Sequence, residues 1–165
     1  MGLQWIQENI GSFGGDPTKV TIFGQSAGGA SVAAHMVTPY SEGLFRTGIM
    51  ESNPITLSPN VPEVMTSLSE RMAANITCSY NDMACLQAAD VMDILNAQNA
   101  AIMLYPEHIL SAFMPWQPYI DGDWIPEEPL LAFHDGNYHQ DVPLIQGTVN
   151  AEALMFISEA FPEPL

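Results

Sequence analysis

Ser26 stands between two glycines in the run Gly24-Gln25-Ser26-Ala27-Gly28, and the residues leading into it, Val20-Thr21-Ile22-Phe23, are β-branched or aromatic. A serine hydroxyl attacks a carbonyl when it is lifted clear of its surroundings, a base takes its proton, and amides receive the charge that develops on oxygen. A strand that turns at once into a helix supplies the first and the last. The turn strains the serine backbone and raises its hydroxyl, while the Ala27 N–H, at a helix N-terminus, faces the developing oxyanion. Gly24 and Gly28 are read as the residues whose missing β-carbons let strand and helix approach, so a larger residue at either is expected to disable the turn. The bare pentapeptide arises by chance in roughly one chain in twenty of this length, so its setting carries the weight. The alternative is a packing turn without chemistry.

A serine of this kind works with an acid and a histidine that follow it in that order, the acid after a late strand. Residues 143–147 read as such a strand, and Glu152 lies shortly beyond it; the competing role for Glu152 is to cap a helix N-terminus. Glu51, just past a strand candidate at residues 47–50, is the reserve acid. No histidine follows Glu152, and His35, His108, His134 and His139 all precede it. His35 is expected to pack within the helix behind Ser26, and the others to sit on loops or helix surfaces.

The elements that must hold these residues alternate. Apolar spacing predicts a helix over residues 2–13, stopped by Gly14-Gly15-Asp16-Pro17, then a strand at 20–23 and a helix from Ala27. A second strand follows at 47–50, then helices at 63–76 and 86–98. Residues 115–129 hold four prolines and read as irregular connection. A short helix at 130–133, the strand at 143–147 and a helix at 151–160 complete the chain. Strands alternating with helices imply an α/β fold, a mostly parallel sheet with helices on both faces. Only three strand candidates appear, fewer than such a sheet usually has, so the chain is expected to be the middle of one larger domain.

Phe13-Gly14-Gly15, a four-residue gap, and then Val20 through Gly28 resembles the serine signature of the type B carboxylesterases and cholinesterases. The likeness extends over residues 3–10, Leu44-Phe45-Arg46 and Tyr119-Ile120-Asp121-Gly122, covering essentially the whole chain. It implies an α/β-hydrolase fold and a serine esterase acting by acyl transfer, with no metal or cofactor and a small-molecule ester as substrate. By the same resemblance, Gly147-Thr148-Val149-Asn150-Ala151-Glu152 is the segment bearing the triad acid, and Ser52 is a serine that hydrogen-bonds near that acid. The glycine-rich loop that donates further oxyanion amides, and the catalytic histidine, are then expected outside this chain. Gln25 departs from the glutamate that cholinesterases carry there, which counts against choline specificity. The acyl pocket would draw on Ala112 and Met114, leaving room for bulky acyl groups, although neighbouring Phe113 and Trp116 read equally as core anchors. A cholinesterase-like adhesion or binding protein without catalysis, and a triglyceride lipase, are the rival readings.

Composition agrees with a folded domain. The chain is 47% hydrophobic, more than a disordered acidic segment would carry, and 13% charged, less than one would. With 3 Lys plus Arg against 19 Asp plus Glu, its charge of −16 disfavours nucleic acid and anionic membranes and suits neutral or cationic ligands. No apolar run approaches the roughly 20 residues of a membrane-spanning helix. Cys78 and Cys85 are either a disulfide pinning a short polar loop or two free thiols, and the resemblance implies the disulfide. Asn75-Ile76-Thr77 before them is an N-glycosylation pattern. Both features favour a secreted or ER-lumenal setting, with any signal peptide expected outside this chain.

Overall fold

In the computed structural model, which describes residues 1–55, 62–102 and 115–160, the β-branched run before Ser26 forms strand β1 (Thr21–Gln25). It is preceded by helix α1 (Gly2–Asn9), which tightens into a 3-10 turn at Ile10–Phe13 and stops where Gly14 adopts φ 82°. Asp16 then caps the next turn, accepting from the Thr18 amide at 2.9 Å and the Thr18 hydroxyl at 2.6 Å. Gln7 anchors α1 from its side chain, whose amide donates to the carbonyls of Pro17 and Leu44, both at 2.9 Å. Those carbonyls belong to the segments leading into β1 and β2 (Thr47–Glu51), so one side chain ties the helix to both strand entries.

Between these strands runs helix α2 (Ala27–Val37), and beyond them β3 (Leu144–Gly147) joins the far side of β2. Among the described residues the sheet has order β1-β2-β3, all parallel, with Gln25 level with Glu51 and Glu51 level with Gly147. The three C-terminal ends therefore finish in one row, the place where parallel sheets of this kind carry their sites. Helix α2 lies across the sheet through Val32, Ala33 and Met36, which form a core with Phe45 and Met50. Met36 and Met50 are 0% and 1% exposed, and burying each stabilises by about 1.5–3 kcal/mol. Gly48 makes the close approach possible, since a β-carbon there would lie 2.9 Å from Leu144 Cδ1 and 3.2 Å from Val32 Cγ1. Helix α6 (Pro129–Asp135) supports α2 on the same side, with Ala132 fully buried and Phe133 against Tyr138. The opposite face is open: Phe23, Ile49 and Ile145 share one row of the sheet, and Phe23 and Ile145 are 73% and 60% exposed.

Residues 57–128 make a separate unit. Helices α3 (Pro62–Asn75) and α5 (Val91–Ile102) pack together, with Leu68, Ala73, Ala97 and Ala101 buried. The single helix expected over 86–98 is two: α4 (Met83–Ala88) ends before Asp90, whose carboxylate accepts from the Met92 amide at 2.8 Å and starts α5 afresh. Cys78 and Cys85 are joined in a disulfide, worth about 2–3 kcal/mol for so short a loop. Within residues 115–128, the Asp121 carboxylate accepts from the amides of Asp123 and Ile125, and these bonds, Ile125 first, hold its pKa below the ordinary value. The other differences are at the ends of elements: α7 (Leu154–Ala160) begins after a turn at 151–153, because Ala153 takes φ 61°.

The far end of α2 is held by histidines. The His139 amide donates to Met36 O at 2.9 Å and its ring Nε2–H to Thr38 O at 3.0 Å, so two carbonyls at the helix terminus are satisfied by one residue distant in sequence. His35 packs within α2, as expected, and its Nδ1 is hydrogen-bonded to the buried Ser41 hydroxyl at 2.7 Å. Burial lowers the His35 pKa from 6.5, so in acid the unfolded chain takes up a proton the folded chain resists. Stability contributed here is complete above the unfolded value and falls as pH drops through 6.5 toward the folded one. We expect the melting temperature to decline between pH 7.5 and 5.5, and His35→Gln to flatten that decline; an unchanged pH slope in the variant would exclude His35 as its source.

Candidate active site

Ser26 sits at the junction of β1 and α2 with φ 55° and ψ −117°, a backbone that non-glycine residues rarely adopt. Its amide donates to Glu51 O at 2.9 Å, and its own carbonyl accepts from the Ala30 amide at 3.0 Å, so the residue is fixed from the neighbouring strand and from the helix it starts. The residue is half-buried, leaving it a path to solvent. Ala27 is the first residue of α2, and its amide is among those that have no acceptor within the helix. An oxygen bearing negative charge beside Ser26 would meet that amide and the positive end of the helix dipole.

The glycines divide this work differently from the sequence expectation. A β-carbon on Gly24 would fall 2.4 Å from Gly28 C and 2.5 Å from Gly28 O, a collision with backbone that no side-chain movement relieves. A β-carbon on Gly28 would meet nothing within 4 Å. The expectation that a larger residue at Gly28 disables the turn is therefore corrected: Gly28 offers its backbone to Gly24, and its own side-chain position is open. The second crowded position is Gly29, which is buried; its β-carbon would lie 3.2 Å from both Glu51 O and Asn53 Cβ. Sequence reasoning missed Gly29, although a paired glycine inside a helix was the signal available.

Glu152 lies in the turn after β3. Two strand spacings put the backbones at the ends of β1 and β3 about 10 Å apart. The Glu152 carboxylate accepts from the Val149 amide at 2.9 Å and from the Ser52 hydroxyl, and these bonds, Ser52 first, lower its pKa from 4.5. Its acceptor bond to Val149 runs backward along the chain, away from α7, so this carboxylate is not capping that helix. Ser52 bridges strand ends: it has φ 47°, and its amide donates to Gly147 O at 2.8 Å. Glu51, the reserve acid, contributes through its carbonyl on the Ser26 amide, with its side chain exposed. Gln25 is exposed at the end of β1, level with Glu51. His134 is paired with Asp135 at 2.6 Å, and His35 and His139 serve the far end of α2. Ala112, Met114 and His108 lie outside the described residues.

A three-stranded parallel sheet carrying a strained serine between strand and helix, with a carboxylate at the third strand's end, is part of an α/β-hydrolase fold. The carboxylesterase family model matches residues 1–164, and the chain belongs to that family. It is 40% identical over 161 residues to the cAMP-regulated D2 protein of Dictyostelium discoideum, covering 98% of this chain and 30% of that protein. It is 35% identical over 156 residues to the para-nitrobenzyl esterase of Bacillus subtilis, covering 94% of this chain and 31% of the enzyme. A solved PNB esterase structure superimposes with TM-score 0.81 at 34% identity, over 94% of this chain and 32% of that one. The chain thus spans under a third of the length of each of these two relatives.

Two outcomes check this geometry. Gly24→Ala should lower stability by more than about 2 kcal/mol, whereas Gly28→Ala should leave it level or raise it; equal losses in thermal unfolding would contradict the assigned contacts. Ser52→Ala should raise the Glu152 titration midpoint toward 4.5, as read by carboxylate NMR. A midpoint unmoved by the substitution would remove Ser52 from the site.

Proposed function

We propose that this chain is the part of a serine carboxylic-ester hydrolase that carries the nucleophile and the triad acid. The observation that carries the reading is the strained, half-buried Ser26 at a helix N-terminus, braced by the same strand end whose next residue, Ser52, holds Glu152. Ser26 Oγ attacks the ester carbonyl carbon as a histidine takes its proton, and the Ala27 amide stabilises the oxyanion. The carbon–alkoxy bond breaks, the alcohol leaves with that proton, and water then attacks the acyl-serine to release the acid. Glu152 orients the histidine and faces its positive charge. The chemistry uses no metal or cofactor.

The histidine and the remaining oxyanion donors belong to the rest of a longer domain. The uncovered row Phe23, Ile49 and Ile145, and the exposed Leu154, Met155 and Ile157 of α7, support this, since such apolar surface is ordinarily covered by a further layer. The Cys78–Cys85 disulfide supports a secreted or ER-lumenal enzyme. A charge of −16 favours neutral or cationic esters over anionic ones.

In the full-length enzyme, Ser26→Ala is expected to reduce kcat/KM on short-chain esters at least about 10⁴-fold while the protein folds as before. Turnover within a factor of a few of the parent would refute Ser26 as the nucleophile.

A further inference from the structure

Helix α3 ends on a left-handed residue, and that residue is threonine. The Cys78 amide returns to Ala73 O at 2.9 Å and the Thr77 amide to Ala74 O at 3.1 Å, the paired bonds of a helix C-cap whose outer residue takes positive φ. Glycine or asparagine ordinarily fills that place. Thr77 occupies it at φ 59° with a branched β-carbon, a combination that sterics disfavour. Its hydroxyl donates to Ile76 O at 2.7 Å, a bond to its immediate neighbour that gives the fold nothing long-range. A strained residue of this kind points to a use beyond packing.

The use is visible in the same three residues. Asn75-Ile76-Thr77 has the Asn-x-Thr form in which the threonine hydroxyl is required for sugar transfer to the asparagine, and glycine at 77 would ease the cap but destroy the acceptor. Asn75 is the last residue of α3 and is exposed. Beside it opens a concavity of about 740 Å³, walled by the Cys78–Cys85 disulfide and by Asp93, Asn96, Ala97 and Ala100 of α5. Those four recur at helical spacing, so they share one face: the exposed Ala100, next to the buried Ala97, gives it an apolar part, while the exposed Asp93 and Asn96 offer hydrogen-bonding groups. A pyranose ring, apolar on its face and polar at its edge, matches that lining.

We propose that Asn75 carries an N-linked oligosaccharide whose first sugars lie in this concavity against α5. The proposal rests on the secreted reading of the enzyme. It is tested on the full-length enzyme produced in a secretory eukaryotic cell, by peptide mass spectrometry before and after peptide N-glycosidase. The Asn75 peptide should carry the sugar, lose it in Thr77→Ala and keep it in Thr77→Ser. Secreted, disulfide-bonded enzyme with bare Asn75 overturns the proposal and leaves the secreted reading standing; cytosolic enzyme with free thiols overturns both. The seat of the sugar is read by hydrogen exchange, with amides over 93–100 exchanging at least about threefold more slowly in glycosylated than in deglycosylated enzyme. Equal exchange would overturn that placement. With the sugar removed from both proteins, Thr77→Gly should melt about 2–4 °C above the parent, and melting at or below it would overturn the argument from strain.

Discussion

The site depends on one hydrogen bond between neighbouring strand ends, from the Ser26 amide to Glu51 O at 2.9 Å. That bond holds a residue with φ 55° in a conformation that a free chain abandons, at a cost of order 1–3 kcal/mol. The peptide that accepts it is followed directly by Ser52, whose amide reaches Gly147 O and whose hydroxyl reaches Glu152. Ser26 and Glu152, the proposed nucleophile and acid, are 126 positions apart in sequence and are braced on consecutive residues of the central strand. A shift of β2 against either neighbour would move both.

What keeps β2 from shifting is packing at residues without side chains. Gly24 lies on the backbone of Gly28, Gly29 on Glu51 and Asn53, and Gly48 under Val32. Each lets α2 sit closer to the sheet than a β-carbon would allow, and the fully buried Met36 and Met50 fill the space beside these approaches. The strain at Ser26 and Ser52 is offset by this burial, so the rigidity of the site is a property of the helix–sheet interface rather than of the turn alone. The histidine latch at residues 35–41 and 139 completes it by securing the opposite end of α2.

Much of this was readable in residue order because it is local. The β-branched run, the glycines and the small-residue helix around Ser26 each follow from propensity and turn chemistry over a few positions, and β1, α2 and β2 lie close to where those patterns put them. The role assigned to Gly28 was misread for a physical reason: a Gly-x-Ser-x-Gly pattern tells that two backbones meet, but not which residue's β-carbon would strike the other. Gly29 and the Glu51 carbonyl escaped notice because their partners are more than twenty residues away, where no periodicity reports them. The break between α4 and α5 was hidden because the Asp90 cap interrupts an otherwise continuous apolar pattern. Ser52 was found only through family resemblance, since a lone serine past a strand carries no signal of its own.

The state of Glu152 bears on how the proposed triad is assembled. Its carboxylate is fully exposed, yet two donors already hold it below its ordinary pKa. Here the orientation is set beforehand by Ser52 and Val149, so in the proposed triad a histidine docking over the strand ends would meet an aligned acceptor and need supply only its own N–H. Because Ser52 is placed by the strand end that also places Ser26, Glu152 and Ser26, the proposed acid and nucleophile, are held from one strand end. In the proposed triad the central strand would then set the geometry, and the histidine's segment would have only to reach it.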